Sequence, residues 1–417
     1  MKFCFDKNMT KVKDDKGEED LYYYSSYLHS ALKVDSLAAA VFDYIIEHPE
    51  KDISCQEVAD AIPELNAGDV EEIFEELCNT GLFFDNIASF HAKCFESCFQ
   101  AGLHFEPRQV YLHLTYRCNL ACEYCYNKEK LNSGTELEID EWKKVIDDLK
   151  SVSSPRIYLT GGEPTLYKDF ESIVDYVYNA GLKIELLTNG TTLHLISKDT
   201  LEKLDTATIS LDNIGDSKTH RRNSEKYKIL DNILMLNSIG KKVNVRSVLS
   251  VDTYEEVNEV RQYMLEHNIN HITALFVPNS IDEINKFPLN ADADSFKSNT
   301  NLQDIRKCGA CFQVLAIDPS GIVYPCQSLM KSEFALESIK NADWIKGVEN
   351  NDLTKYFLYR TVERIDKCRD CEVKSICGGG CPAISYKLYN SLEHRLDYAC
   401  DFLKAESIFH IKHVEFE

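Results

Sequence analysis

Residues 110–126 read Val-Tyr-Leu-His-Leu-Thr-Tyr-Arg-Cys-Asn-Leu-Ala-Cys-Glu-Tyr-Cys-Tyr. The first six residues, Val110–Thr115, are rich in β-branched and aromatic side chains and predict a strand. A C-x3-C-x2-C array follows at once, with thiols at Cys118, Cys122 and Cys125 and an aromatic residue, Tyr124, before the last of them. Three closely spaced thiolates can hold three irons of a cubane [4Fe-4S] cluster and leave the fourth open to another ligand. Zinc is the competing occupant, although its tetrahedral sites usually present paired C-x2-C or Cys/His knuckles.

Working outward, the middle of the chain repeats the pattern of that first strand. Strand-like runs at Val110–Thr115, Arg156–Thr160, Lys183–Thr188, Ala207–Leu211, Val243–Leu249 and Ile272–Val277 alternate with amphipathic stretches near 140–152, 168–180, 193–204, 224–239 and 255–268. Repeated βα units imply a parallel sheet with right-handed crossovers, and six of them predict an α/β fold built on a partial, TIM-like (β/α)6 barrel. Ligands of such folds bind at the carboxyl ends of the strands. Thr160-Gly-Gly-Glu-Pro164, Leu187-Thr-Asn-Gly190 and Ile209-Ser-Leu-Asp212 end the second, third and fourth runs, so they fall on the rim that carries the cysteines. Each has an ordinary explanation alone: Gly-Gly and Asn-Gly are turn formers, Glu163 fits a solvated carboxylate and Asp212 a helix N-cap.

Together the three cysteines and the Gly-Gly-Glu-Pro segment resemble the signature motifs of radical S-adenosylmethionine (SAM) enzymes. In that family SAM chelates the open iron through its amino and carboxylate groups, and an electron from the reduced cluster splits it to a 5′-deoxyadenosyl radical. The resemblance implies that Cys118, Cys122 and Cys125 ligate the cluster and that Tyr124 lies against the adenine. Gly161, Gly162, Glu163 and Pro164 would receive the methionine ammonium through backbone carbonyls and the Glu163 carboxylate. Asn189 and Ser210 would be further polar contacts to SAM.

Eight of the sixteen cysteines lie downstream, at Cys308, Cys311, Cys326, Cys368, Cys371, Cys377, Cys381 and Cys400. Eight thiols suit two fully ligated [4Fe-4S] clusters or two Cys4 zinc sites. No apolar signal-peptide core precedes them, the chain opening Met-Lys-Phe-Cys-Phe-Asp, so a reducing, cytoplasmic setting and metal are expected rather than disulfides. Cys311-x9-Gly321-x4-Cys326, then Cys368-x2-Cys371-x5-Cys377-x3-Cys381-x18-Cys400, resembles a SPASM domain, the auxiliary-cluster module of radical SAM enzymes that modify peptides and proteins. That resemblance assigns Cys311, Cys326 and Cys381, with Cys308 as the fourth ligand, to one cluster, and Cys368, Cys371, Cys377 and Cys400 to another. Without Cys308 the former would keep an open iron able to hold a substrate thiol. Gly378-Gly-Gly380 would let backbone approach an inorganic core, and Asp318-Pro-Ser-Gly321 fits a hairpin that brings Cys311 to Cys326.

The first hundred residues differ in composition. Strand candidates at Lys2–Asp6 and Leu21–Tyr24, helical patterns at 35–48, 55–62 and 68–80, and a Gly81–Phe84 strand predict a small winged-helix-like domain. Eight lysines, no arginine and twenty-one Asp or Glu in residues 1–100 give −13, which repels DNA. The layout is similar to the PqqD-like recognition elements of enzymes that mature ribosomally made peptides, where a leader peptide pairs with a sheet edge. An acidic face of that kind would favour a basic leader with salt-sensitive affinity.

The domain reading is therefore residues 1–85 for peptide recognition, 86–108 as connector, 109–300 for the barrel and 301–417 for the cysteine-rich module. Net charge of −22 and the lack of a long apolar run argue against nucleic acid and membrane as partners. Outside the proposed cluster ligands, Cys55 and Cys78 read as small buried hydrophobes. Cys4 has no assigned role, and Cys94 and Cys98 stand near His91 and His104 as a weaker metal site. The resemblances imply three [4Fe-4S] clusters and SAM, a precursor peptide bound through its leader, and a reducing donor such as a flavodoxin or ferredoxin. The expected reaction is an oxidative crosslink, a thioether from cysteine sulfur to carbon or a carbon–carbon bond. Alternatives are an enzyme that matures sulfatases or quinone-cofactor precursors, and a zinc-binding peptide scaffold without chemistry.

Overall fold

Separate hydrophobic cores divide the molecule, a computed structural model that describes residues 4–5, 9–13, 21–25, 30–48, 52–79, 82–84, 105–215, 226–288 and 308–412. The N-terminal unit contains β1 (Cys4–Phe5), β2 (Thr10–Lys13), β3 (Leu21–Ser25), β4 (Ser30–Val34), α1 (Ser36–Glu47), α2 (Cys55–Ala61), α3 (Ala67–Asn79) and β5 (Phe83–Phe84). Strands β2-β3-β4 form an antiparallel sheet, and β1 pairs with β5 so that the helices are bracketed by a closing ribbon. Asp35 caps α1 by accepting from the amides of Leu37 and Ala38, which fixes where the sheet ends and the helix begins. Aromatic packing then joins the layers: Tyr23 stacks on Phe42 at 4.8 Å, and Phe42 meets Phe83 edge-on at 4.8 Å. The three helices fall where periodicity places them. Strands β2 and β4 go beyond the expectation, because Thr10-Lys-Val-Lys13 buries only Val12 among its well-defined side chains and carries a weak strand signal.

The barrel begins with β6 (Gln109–Thr115) and continues through α4 (Ile139–Lys150), β7 (Arg156–Gly161), α5 (Phe170–Asn179), β8 (Lys183–Thr188), α6 (Lys198–Lys203), β9 (Thr206–Ser210), α7 (Lys226–Ser238), β10 (Lys242–Leu249), α8 (Tyr254–Glu266) and β11 (Asn270–Leu275). Helix α4 shows why these segments are helical. Glu138 and Glu141 form a capping box, and Trp142, Val145, Ile146 and Leu149 recur at three- and four-residue spacing to make one buried stripe. Strands β6 to β11 are parallel and lie in sequence order, the expected mostly parallel partial barrel. The last strand starts two residues earlier than its apolar pattern indicates. Its register with β10 runs from Asn244↔Asn270 to Leu249↔Leu275, so pairing stops there and Val277 stays 41% exposed.

The sheet does not end at β6. Strand β12 (Val314–Ile317) pairs parallel to it, then β13 (Ile322–Tyr324) and β14 (Glu337–Ser338) extend the sheet antiparallel to nine strands. The Asp318–Gly321 turn joins β12 to β13 as expected. Asp318 accepts from the Ser320 and Ile322 amides, and Gly321 adopts φ +88° where a Cβ would lie 2.7 Å from Ile339. Beyond it come α9 (Trp344–Asn350), α10 (Asp352–Tyr359), α11 (Lys374–Cys377), α12 (Pro382–Tyr389) and α13 (Cys400–Lys412). One hydrophobic core runs without a break from the barrel helices to Trp344, Val348 and Phe357. Trp344 is its link, 1% exposed with its indole N–H donating to Asp148 of α4 at 2.7 Å. Among the described residues no helix is long and apolar enough to cross a membrane. Residues 91, 94, 98 and 104 lie outside the described residues.

Trp344→Ala should cost about 3–5 kcal/mol by opening a cavity at this shared core. Urea unfolding followed by barrel and C-terminal probes should show both regions losing stability together; a C-terminal transition that moves alone would mean that the core is not shared.

Candidate active site

At the end of the first barrel strand the chain must turn into the cysteine loop, and neighbouring backbone fixes the turn. A bulge in β6 between His113 and Thr115 brings Thr115 opposite Gly161. The Gly162 amide then donates to Thr115 O at 2.7 Å and the Glu163 amide to Arg117 O at 2.8 Å. Gly161 sits at φ +141°, and a Cβ there would lie 2.2 Å from Thr115 O; at Gly162 it would lie 2.4 Å from Arg117 O. Only glycine admits this approach, and the pairing carries the ladder to the residue before Cys118. The far end of the loop is tied as well. Asn132, in the left-handed region at φ 59°, donates its amide to Tyr116 O at 2.9 Å and accepts from the Cys118 amide at 3.1 Å. Arg117 and Thr115 both bond Glu136, the guanidinium in two-pronged fashion at 2.9 and 3.0 Å.

Glu163 is fully buried, with four donors on its carboxylate: the Thr165 amide and hydroxyl, the Thr188 hydroxyl and the Asn189 amide. Burial pushes its carboxyl up from the ordinary range while these donors pull it down. The side chain joins the ends of β7 and β8. Asn189 is engaged in turn, bonding Asn119 at 2.8 Å and Thr191 at 2.7 Å with its amide 4.0 Å from the Cys118 sulfur. Tyr124 donates its hydroxyl to Asp212, whose other oxygen accepts from the Val248 amide at 3.0 Å. Ser210 is half-buried beside Arg246, its partner in the β9–β10 register, and the Arg246 side chain is exposed on that face. Pro164 starts a short 3-10 turn that Glu163 caps.

Sequence reasoning read Asp212 as a helix N-cap, whereas it accepts from the Tyr124 hydroxyl and the Val248 amide, and it passed over Asn127 and Arg246. Asp212 is 2% exposed and ties the cysteine loop to the fourth strand; Asn127, 3% exposed, donates to Gly161 O at 3.1 Å. An Asp directly after a buried strand run was the available signal for the first. The other two depend on the loop path and the sheet register.

Downstream, thiols act on one another electrostatically within two sets of four cysteines. Cys308 feels Cys381, Cys311 feels Cys326 and Cys308, and Cys326 feels Cys308 and Cys381. Cys368 likewise feels Cys377, Cys371 and Cys400. Burial is the main cause that raises Cys308, Cys311, Cys326, Cys368 and Cys377, with Cys308 and Cys368 each at about 11. Peptide N–H groups aimed at sulfur oppose it: Leu120 at Cys118, Ala310 at Cys308, Ser328 and Leu329 at Cys326, and Gly379 and Gly380 at Cys377. Gly378, Gly379 and Gly380 take φ 61°, 80° and 78°, the conformation that turns those amides inward. Cys311 holds φ 73°, unusual for a side-chain-bearing residue, with its amide on Val314 O and Pro325 O. Such donors stabilise negative charge on cluster-bound sulfur, so the surroundings fit iron–sulfur ligation. Among the described residues no three Cys, His, Asp or Glu side chains converge closely enough for a single metal ion; the corner ligands of a cubane stand farther apart than that.

Comparison with known proteins agrees with this geometry. Residues 112–264 match the family model described as Radical SAM superfamily. A PqqA peptide cyclase of Bradyrhizobium diazoefficiens is 26% identical over 328 residues, covering 68% of this chain and 83% of that protein. The antilisterial bacteriocin subtilosin biosynthesis protein AlbA of Bacillus subtilis is 25% identical over 338 residues, 72% of each. Streptococcus suis SuiB, solved with S-adenosylmethionine, shares the fold with a TM-score of 0.56 at 17% identity, over 94% of this chain and 98% of SuiB; its complex with precursor peptide SuiA gives 0.57. Residues 112–264 are a radical SAM domain, and the chain is an enzyme of that chemistry.

Gly161→Ala should lose about 3 kcal/mol in chemical denaturation, since neither its φ nor its clearance admits a Cβ, and should lower SAM affinity in equilibrium dialysis. His113 gives a pH test. Fully buried on β6, with no partner for either ring nitrogen among the described residues, its pKa is lowered to about 3 by burial and by Lys130. The folded protein holds it neutral while the unfolded chain takes up a proton below about pH 6.5, so its contribution falls by about 1.4 kcal/mol per pH unit from there toward pH 3. His113→Met should remove that acid sensitivity; an unchanged slope of stability against pH between 6.5 and 4 would contradict the assignment.

Proposed function

We propose that this chain matures a ribosomally made precursor peptide by installing an oxidative crosslink. The observation that carries the reading is the cysteine loop stitched by backbone hydrogen bonds to the glycine segment at the barrel rim, with polar side chains from neighbouring strands around it. The peptide class rests on the likeness to a peptide cyclase and a bacteriocin biosynthesis protein, and on SuiB having been solved with its precursor peptide.

In this reading Cys118, Cys122 and Cys125 hold a [4Fe-4S] cluster, and the downstream thiols hold two more, Cys308 with Cys311, Cys326 and Cys381, and Cys368 with Cys371, Cys377 and Cys400. When bound there, the cluster and SAM would supply radical chemistry able to remove hydrogen from a peptide carbon. The chain's own residues bind and orient. Backbone carbonyls of Gly161 and Gly162 receive the ammonium of SAM, since the Glu163 carboxylate is already engaged by four donors. Ser210 and Arg246 take its carboxylate, adjacent on one face and of matching charge. Asp212 holds Tyr124 by its hydroxyl, which fixes the ring that lies against the adenine. The N-terminal unit offers sheet edges at β2 and β4 for a leader peptide. A thioether from a cysteine sulfur is the favoured product, with a carbon–carbon ring closure as the second. Clusters held by the downstream cysteines would offer an exit for the surplus electron, and a flavodoxin- or ferredoxin-like donor would supply the reducing electron for the one at Cys118, Cys122 and Cys125.

Anaerobic reconstitution should yield about twelve irons per chain. The triple replacement of Cys118, Cys122 and Cys125 by Ala should keep about eight irons and abolish reductive SAM cleavage. Zinc in place of iron, or cleavage retained by the triple variant, would overturn the reading; on a cysteine-bearing precursor peptide, mass spectrometry should find two hydrogens lost per crosslink.

A further inference from the structure

The side of the barrel rim facing the C-terminal region holds a cleft of about 720 Å³, and none of the ligand groups discussed above belongs to it. Its walls come from three places: Ile281 after the last barrel strand, Lys331 and Glu333 after the Cys326 loop, and Lys387, Tyr389 and His394 at the end of α12. A second hollow of about 460 Å³ shares Lys331 and Glu333 and reaches Tyr116 and Lys130 at the base of the cysteine loop. The two adjoin at these shared residues as one lane across this surface.

The lane has an uncommon charge arrangement for a chain of net charge −22. Lys331 lies over the Tyr386 ring at 5.4 Å, and Lys387 is held by the side-chain oxygen of Asn279; neither makes an ion pair with a described carboxylate. Nearby carboxylates are turned to other partners. Glu283 accepts from the Asn279 amide at 2.8 Å and pairs with Lys286, while Glu333 accepts from Tyr386 at 3.2 Å and from Ser332. Ile281 is 58% exposed beside them, an apolar contact next to two cations. Burial lowers the Lys387 pKa, Glu283 opposes it and the charge of Lys331 adds to it, while the Glu333 carboxyl is held down first by its own amide and also by Lys331.

We infer that this cleft binds a carboxylate of the substrate peptide, seating it between Lys331 and Lys387 with the adjoining peptide carbon chain against Ile281 and Tyr389. The inference builds on the peptide reading above and adds a specificity determinant in the segment to be modified, separate from any leader. Lys387 is half-buried and Lys331 exposed at the mouth, so an anion seated between them meets one partly desolvated ammonium and one steering charge, a local exception to the surrounding negative field.

Binding of short labelled peptides to the full chain tests this without SAM or clusters taking part. Three probes suffice: one with glutamate side chains and both termini blocked, an alanine tetrapeptide with a free C-terminal carboxylate, and the same tetrapeptide amidated. In fluorescence anisotropy at low salt, one or both acidic probes should bind and the amidated one should not; which acidic probe binds tells a side-chain from a terminal carboxylate. Lys331→Gln with Lys387→Gln should weaken that binding about tenfold, added salt should do likewise, and Lys331→Arg with Lys387→Arg should restore it. Equal binding of the amidated probe, or undiminished binding by the glutamine variant, would overturn the inference. Failure of SAM cleavage would sink the radical reading and leave these results standing.

Discussion

The approach of two backbones, Thr115–Arg117 and Gly161–Glu163, is the constraint on which the site depends. Two hydrogen bonds and two missing Cβ atoms let the second strand lie against the exit of the first. The cysteine loop therefore starts from a fixed point rather than from a flexible strand end, and Asn132 closes its base. A cluster needs thiolates at set positions, and a radical needs its source placed to within a fraction of an ångström. Rigid backbone pairing at the loop's root supplies that placement before any ligand arrives.

A second level of order comes from side chains that reach across strands. Glu163 joins the ends of β7 and β8, Asp212 joins the cysteine loop to β9 and β10, and Asn127 returns from the loop to Gly161. Each is buried and has its hydrogen bonds met, so each specifies one arrangement of the rim and strongly disfavours others. Burying Glu163 is costly in itself; four donors offset the cost and convert a liability into a clamp.

Strands β6 to β10 were legible because both faces are covered, which leaves β-branched and apolar runs bounded by turn residues. The glycine motif was legible because no other residue fits where a carbonyl stands 2.2 Å from the missing Cβ. Asp212 and Arg246 were not, since their meaning comes from register; Tyr124 and Asp212 are 88 residues apart in sequence. The four residues of β12 carry too short a pattern to reveal that they join the barrel sheet. Strand β11 was misplaced by two residues because periodicity reports apolar spacing, whereas the strand's true limit is set by where β10 stops offering partners.

Strand β12 also bears on how the chain is made. All six barrel strands have been synthesised once Leu275 is added, yet β6 then still has one bare edge and Asp148 still lacks Trp344. The edge waits for residues made roughly two hundred positions after it, a long-range closure that is slow and exposes an unpaired strand meanwhile. Synthesis thus passes through a nearly complete barrel with a sticky margin, and a message truncated between these points would encode an aggregation-prone product rather than a smaller enzyme.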